Sequence, residues 1–223
     1  MPTVWDHVLN IIFPLHCEVC GAALSADNRR RLCSDCWEKI LLSRKVFCPL
    51  PAIDGNIYLD QVRSVGKYEG ILRQCIHITK YRKKPALSEA LGELMVECLK
   101  RNQKNMGFDC IVPVPLYRRQ LRKRGFNQSR LFADRISKHF GVPVVNAVLR
   151  TKATKPQYML QRQERIANLT GAFRIKESQA IRGRAVLLVD DVYTTGTTAH
   201  ECARVLREAG SGKVSMLALA HGD

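Results

Sequence analysis

The segment Val186-Leu-Leu-Val-Asp190-Asp191-Val-Tyr-Thr194-Thr195-Gly196-Thr197-Thr198 constrains this chain more than any other stretch. Arg184 to Asp190 reads as a continuous apolar strand, buried on both faces as strands of a parallel sheet are. It ends in two adjacent carboxylates, and open α/β sheets place ligands at the carboxyl ends of their strands. Hydroxyl side chains around Gly196 follow, and then Thr197 to Ala209 reads as a helix with Ala199, Cys202, Ala203 and Leu206 inward. Backbone N–H groups at a helix N-terminus, joined by threonine hydroxyls, form a cradle for an anion. Gly196 lets the backbone close around that anion without a side chain intruding. Carboxylates repel phosphate but accept hydrogen bonds from the vicinal hydroxyls of a ribose, or hold Mg²⁺ through water. The combination describes a site for a ribose 5-phosphate. The competing reading is that Asp190 and Asp191 cap the turn and the threonines cap the helix.

The rest of the chain alternates strands and helices, as a mainly parallel α/β sheet requires. Gln61–Tyr68 reads as a strand, Ile71–Tyr81 as a short helix and Ala86–Arg101 as an amphipathic helix. Cys110–Val114 is a short strand broken by Pro113 and Pro115. Gln128–Phe140 is a helix stopped by Gly141, Val142–Leu149 a strand and Lys213–Ala220 the last strand. Thr151 to Asn168 is polar and lacks an apolar stripe, which predicts a long functional loop. In a transferase it would close over the ligand, with Lys152, Lys155, Arg162 or Arg165 reaching a leaving pyrophosphate.

After the strand ending in Leu116 comes Tyr117-Arg118-Arg119, expected to be a turn whose backbone and guanidinium groups hold pyrophosphate. Arg122, Lys123, Arg124, Phe126, Asn127, Gln128 and Arg130 continue it. Tyr117 to Arg130 holds six basic residues and no acid. A net charge of +16 predicts an anionic partner. Such a charge suits nucleic acid, a membrane surface or a polyphosphate; on a nucleic acid, Arg122–Arg130 would track the phosphate backbone, with Phe126, Tyr81 or Trp37 stacking on bases. The competing reading of such a run is a solvated face.

Cys17-Glu-Val-Cys20 and Cys33-Ser-Asp-Cys36 are two C-x2-C knuckles with twelve residues between them. Four thiolates aimed at one point make a closed tetrahedral site for a structural Zn²⁺. His16 is an alternative ligand that four cysteines make unnecessary. The first fifty or so residues show little periodicity and lack a core, so the metal is expected to hold them. Cys98, Cys110 and Cys202 fall on apolar faces and read as core. No stretch is long enough to cross a bilayer. No Lys or Arg precedes the short apolar run Val8–Leu15, which argues against a signal peptide and for the cytoplasm. The expected division is a metal module, residues 1–55, and an α/β domain, residues 56–223.

The segment ending in Thr198 resembles the phosphoribosyl pyrophosphate signature of type I phosphoribosyltransferases. That resemblance implies the corresponding fold, with Asp190 and Asp191 on the ribose hydroxyls and Thr194–Thr198 on the 5-phosphate. The order of Cys pairs, Lys80-Tyr-Arg82, Val112-Pro-Val-Pro115, Arg124-Gly-Phe-Asn-Gln128 and signature resembles the ComF family of competence proteins, of the ComFC type. Arg150-Thr151, Gln157, Leu160, Arg165, Asn168 and Ala172-Phe173 extend the match. One departure is Cys48-Pro-Leu-Pro51, where relatives often carry another C-x2-C pair. The resemblance implies a role in natural transformation, with single-stranded DNA, a competence helicase and other DNA-uptake proteins as partners. Beside this stand an active phosphoribosyltransferase acting on a base or amine and a non-enzymatic sensor of phosphoribosyl pyrophosphate.

Overall fold

The computed structural model describes residues 14–43, 58–82, 84–101, 107–152 and 170–222. Two short strands, β1 (Leu15–His16) and β2 (Ala23–Leu24), pair antiparallel and are followed by helix α1 (Ser34–Ser43). Then come β3 (Gln61–Lys67), α2 (Gly70–Tyr81), α3 (Pro85–Arg101), β4 (Cys110–Pro113), α4 (Arg118–Arg124) and α5 (Gln128–Phe140). The chain closes with β5 (Val148–Arg150), β6 (Phe173–Ile175), β7 (Val186–Tyr193), α6 (Thr197–Glu208) and β8 (Val214–His221). Strands β3, β8, β7 and β4 lie side by side in that order, all parallel. Their carboxyl ends therefore share one edge.

Side-chain alternation divides the core. Leu187 and Val189 of β7, with Leu217 and Leu219 of β8, face Leu91, Leu94, Phe132 and Ile136 of α3 and α5. Val186 and Leu188, with Met216 and Ala218, face Cys202, Ala203 and Leu206 of α6, with Val148 and Phe173 of the β5–β6 pair beside them. The central strands β7 and β8 are buried on both faces, which is why β7 reads as an unbroken apolar run. Cys98, Cys110 and Cys202 are fully buried, as expected.

Three expectations change. Val142–Leu149 is not a continuous strand: Pro143 has no N–H to donate, and pairing shrinks to one parallel bridge, Ile111 with Val144. The chain then turns away, and Val148–Arg150 pairs antiparallel with Phe173–Ile175. Tyr117-Arg118-Arg119 is not a turn, because α4 begins at Arg118. The N-terminal segment does have a core, borrowed from its neighbour. Leu24, Leu32, Trp37 and Ile40 belong to the same buried cluster as Leu72 and Cys75 of α2 and Leu91 of α3. A segment this short cannot enclose apolar side chains by itself, so it lays them on the α/β domain. Glu18, between the first two cysteines, fastens the arrangement through Lys84 at 2.9 Å. Cys48 and most of Thr151–Asn168, with Lys155, Arg162 and Arg165, lie outside the described residues.

Candidate functional site

Asp190 and Asp191 stand near the end of β7 and project to opposite sides of the strand, where each meets a different helix. Ser129, in the first turn of α5, donates its hydroxyl to Asp190 Oδ1 at 2.9 Å. The backbone N–H of Asp191 donates to the same oxygen at 2.8 Å. Lys80, in the last turn of α2, places Nζ 2.9 Å from Asp191 Oδ1. Burial and the neighbouring Asp191 push Asp190 up to about 7, outweighing the Asp191 N–H, Lys80 and Ser129, which pull it down. Burial disfavours the charged form of Lys80, yet the two carboxylates more than compensate and its pKa rises. The result is an acid pair beside one ammonium, in which the ionisation of Asp190 depends on what sits next to it.

The turn after β7 is built for an anion. Thr194, Thr195, Gly196, Thr197 and Thr198 line a cleft with Asp190, Tyr193 and Ala199. Gly196 takes φ 71°, a left-handed conformation open to glycine at little cost. It is the N-cap of α6 and, as glycine, has no side chain of its own to cap the helix. The hydroxyls of Thr195 and Thr197 lie 3.0 Å apart, bonded to each other rather than used as caps. The first turn of α6 thus lines the cleft, and a helix N-terminus in that place favours phosphate.

The loop after β4 borders the same edge. Val114 N–H donates to Val189 O at 2.9 Å, and the Asn127 amide donates to Val114 O at 2.9 Å. Tyr117 is the N-cap of α4 and is half-buried, while Arg118 and Arg119 are exposed. No residue of α4 is buried, and Arg122 and Lys123 face solvent.

Asn127 and Gln128 do not belong with this exposed run. Asn127 caps α5 by accepting from Ser129 N–H at 3.1 Å. Gln128 is 1% exposed, donates to Thr79 O at 3.2 Å and accepts from Arg124 Nη1 at 3.3 Å. Their amides are engaged inside the protein, so they position neighbours instead of reading a ligand. Arg130 is likewise held, by Asp134 at 2.8 Å and Asn146 at 3.1 Å. Trp37 is buried, with the Arg30 guanidinium 4.6 Å over its ring, so it offers no face to a base.

Lys80 and Ser129 contact the two aspartates, and sequence reasoning gave neither of them a role in the site. Ser129 carries no mark in the sequence beyond following a cap. Lys80 did leave a signal: with Leu72 and Ile76 it lies at i, i+4, i+8 on one side of α2, and a lysine in an apolar stripe needs a counter-ion.

The thiols of Cys17, Cys20, Cys33 and Cys36 all lie within 4.8 Å of one another, and those of Cys20 and Cys33 are 3.6 Å apart. Tetrahedral Zn²⁺ at about 2.3 Å from each sulfur sets neighbouring sulfurs roughly 3.8 Å apart, so the donor set fits. Burial opposes ionising Cys17, but N–H groups of Cys20, Cys33 and Val19 bring it down to about 6. Burial and the adjacent thiols push Cys36 up. A divalent cation resolves that competition by taking all four as thiolates. Closed on all sides by sulfur, the site is structural.

Two family models match the chain. One is described as a phosphoribosyl transferase domain, over residues 127–222, and the other as a double zinc ribbon domain, over residues 8–54. The DNA utilization protein YhgH of Escherichia coli K12 is 31% identical over 91% of this chain and 88% of its own length. Competence protein F of Haemophilus influenzae is 32% identical over 72% of each chain. Competence protein ComFC of Bacillus subtilis is 27% identical over 87% of this chain and 72% of its own. No helix among the described residues is long and apolar enough to cross a membrane. A zinc-ribbon module on a parallel phosphoribosyltransferase sheet, shared along most of the chain with these relatives, places this protein in the ComF family.

Proposed function

We propose that the chain binds phosphoribosyl pyrophosphate at the carboxyl edge of its sheet and single-stranded DNA on the exposed face of α4, and that it handles incoming strands in the cytoplasm. The observation that carries the reading is the acid pair in one cleft with the threonine turn and the N-terminus of α6. Asp190 and Asp191 would accept from the ribose hydroxyls while Thr194–Thr198 hold the 5-phosphate. Mg²⁺ would accompany the pyrophosphate, and the oxygen donors of the two aspartates suit it through water. Lys80 and Ser129 would keep both carboxylates aimed at the ligand.

The DNA half of the reading rests on the net +16 and on a short helix whose Arg118, Arg119, Arg122 and Lys123 are exposed. Relatives named for DNA utilization and competence point the same way. Transfer of the ribosyl group to a base or amine has no use for such a helix. For that reason the ligand at the acid pair is read as regulatory.

Calorimetry with Mg²⁺ and phosphoribosyl pyrophosphate tests the first half. The double variant Asp190→Ala, Asp191→Ala should lose binding, and unchanged affinity would sink the assignment. For the second half, Arg122→Ala, Lys123→Ala, Arg124→Ala should weaken oligonucleotide binding and flatten its salt dependence, by roughly 0.7 log units per lost phosphate contact for each tenfold change in salt.

A further inference from the structure

On the reading that this chain binds single-stranded DNA, we propose that Tyr81, backed by His77 on the outer face of α2, is the platform on which a base of that strand stacks. Tyr81 is 62% exposed, the highest among the exposed large apolar and aromatic side chains of the described residues. Exposure of one aromatic means little by itself. Its surroundings give it meaning. His77 lies one turn earlier on the same face, its ring 5.5 Å from that of Tyr81 and tilted by 43°. That contact limits the rotamers of Tyr81 and holds its ring ready, which lowers the entropy lost on binding. Arg73, a further turn back, and Arg82, just beyond, are both exposed. Gly70 to Arg82 contains no acid. The outer face of α2 is therefore cationic and aromatic, the chemistry that takes a single strand without reading its sequence.

The end of α2 is also tied to the end of the basic helix. Gln128 donates to Thr79 O at 3.2 Å and accepts from Arg124 Nη1 at 3.3 Å. One buried side chain thus joins the last turn of α2 to the last turn of α4. The two helix ends are therefore neighbours, and a strand that passes from the end of α4 to the end of α2 meets Tyr81 as the exposed aromatic there. Phe126 is half-buried and Trp37 is covered by Arg30, so neither offers an equal face.

The test uses the full-length zinc-loaded protein and two probes, an oligothymidylate and an abasic strand of the same length, titrated by fluorescence anisotropy at several salt concentrations. Tyr81→Ala should weaken oligothymidylate binding by about 5–10-fold, near the lower end of what one stacked base contributes. Its salt slope should stay that of the parent, because no phosphate contact is lost. Abasic-strand affinity should not change, and Tyr81→Phe should bind as the parent does. Equal affinity of Tyr81→Ala and parent for oligothymidylate would overturn the proposal. So would an equal loss on both probes, which would make Tyr81 a backbone contact. A parent that binds neither probe would instead refute the DNA reading on which the proposal rests, and the proposal with it.

Discussion

Replacing Asp190 by Asn should stabilise the ligand-free protein, increasingly so as pH rises. Burial and Asp191 lift the carboxyl from 3.8 to about 7. A raised carboxyl pKa means that ionisation costs more in the native state than in the unfolded one. The penalty is absent below the unfolded value, near 4, grows through pH 5 and 6, and is complete above about pH 7. Raising the carboxyl that far corresponds to a ceiling of ~4 kcal/mol. Asp190 as a whole is only half-buried, and discounting for solvent screening reduces this to about 2 kcal/mol. For a chain of this length 1 kcal/mol moves Tm by about 2–4 °C. The gap between Asp190→Asn and parent should thus widen by about 4–8 °C from roughly pH 4 to pH 8. Asparagine keeps an oxygen to accept from Ser129 and from the Asp191 N–H, so the fold around it is preserved. Thermal melts followed by circular dichroism at constant ionic strength would measure this. A gap that stays constant with pH, or narrows, would show that Asp190 is not held against ionisation and would refute the reasoning. The same variant should bind phosphoribosyl pyrophosphate poorly, the usual opposition between stability and a strained functional site.

Lys80→Met removes the ammonium 2.9 Å from Asp191 and should cost ~2–3 kcal/mol, part of which Asp191→Asn restores in the double variant. Urea titrations of all four proteins close that cycle, and strict additivity would mean that the pair is not coupled. Cys36→Ser should abolish tight zinc retention in elemental analysis. It should also lower Tm, because Trp37 and Ile40 on the same helix pack into the shared core.

The strand–acid–threonine–helix segment was legible in sequence because all its parts are local. An apolar run, two carboxylates, a glycine at φ 71° and a helix start follow one another within a few bonds, and no distant partner is needed to make them meaningful. The same holds for the Cys pairs, whose spacing alone aims four thiols at one point. Helix α5 was equally clear from its apolar stripe and its glycine stop, and its limits fall at Gln128 and Phe140 as expected. Tertiary structure decided what lies against these parts. Lys80 meets Asp191 across more than a hundred residues, and Ser129 meets Asp190 across sixty-one. Asn127 and Gln128, amides inside a basic run, read as ligand contacts until packing buried Gln128 under α2 and engaged Asn127 as a cap. The N-terminal segment reads as coreless because its apolar residues show little periodicity; they become a core once α2 and α3 complete it. Local geometry and residue type are written along the chain, whereas burial depends on which surfaces meet. Burial sets the ionisation of Asp190 and the availability of each aromatic, so only the folded chain could settle either.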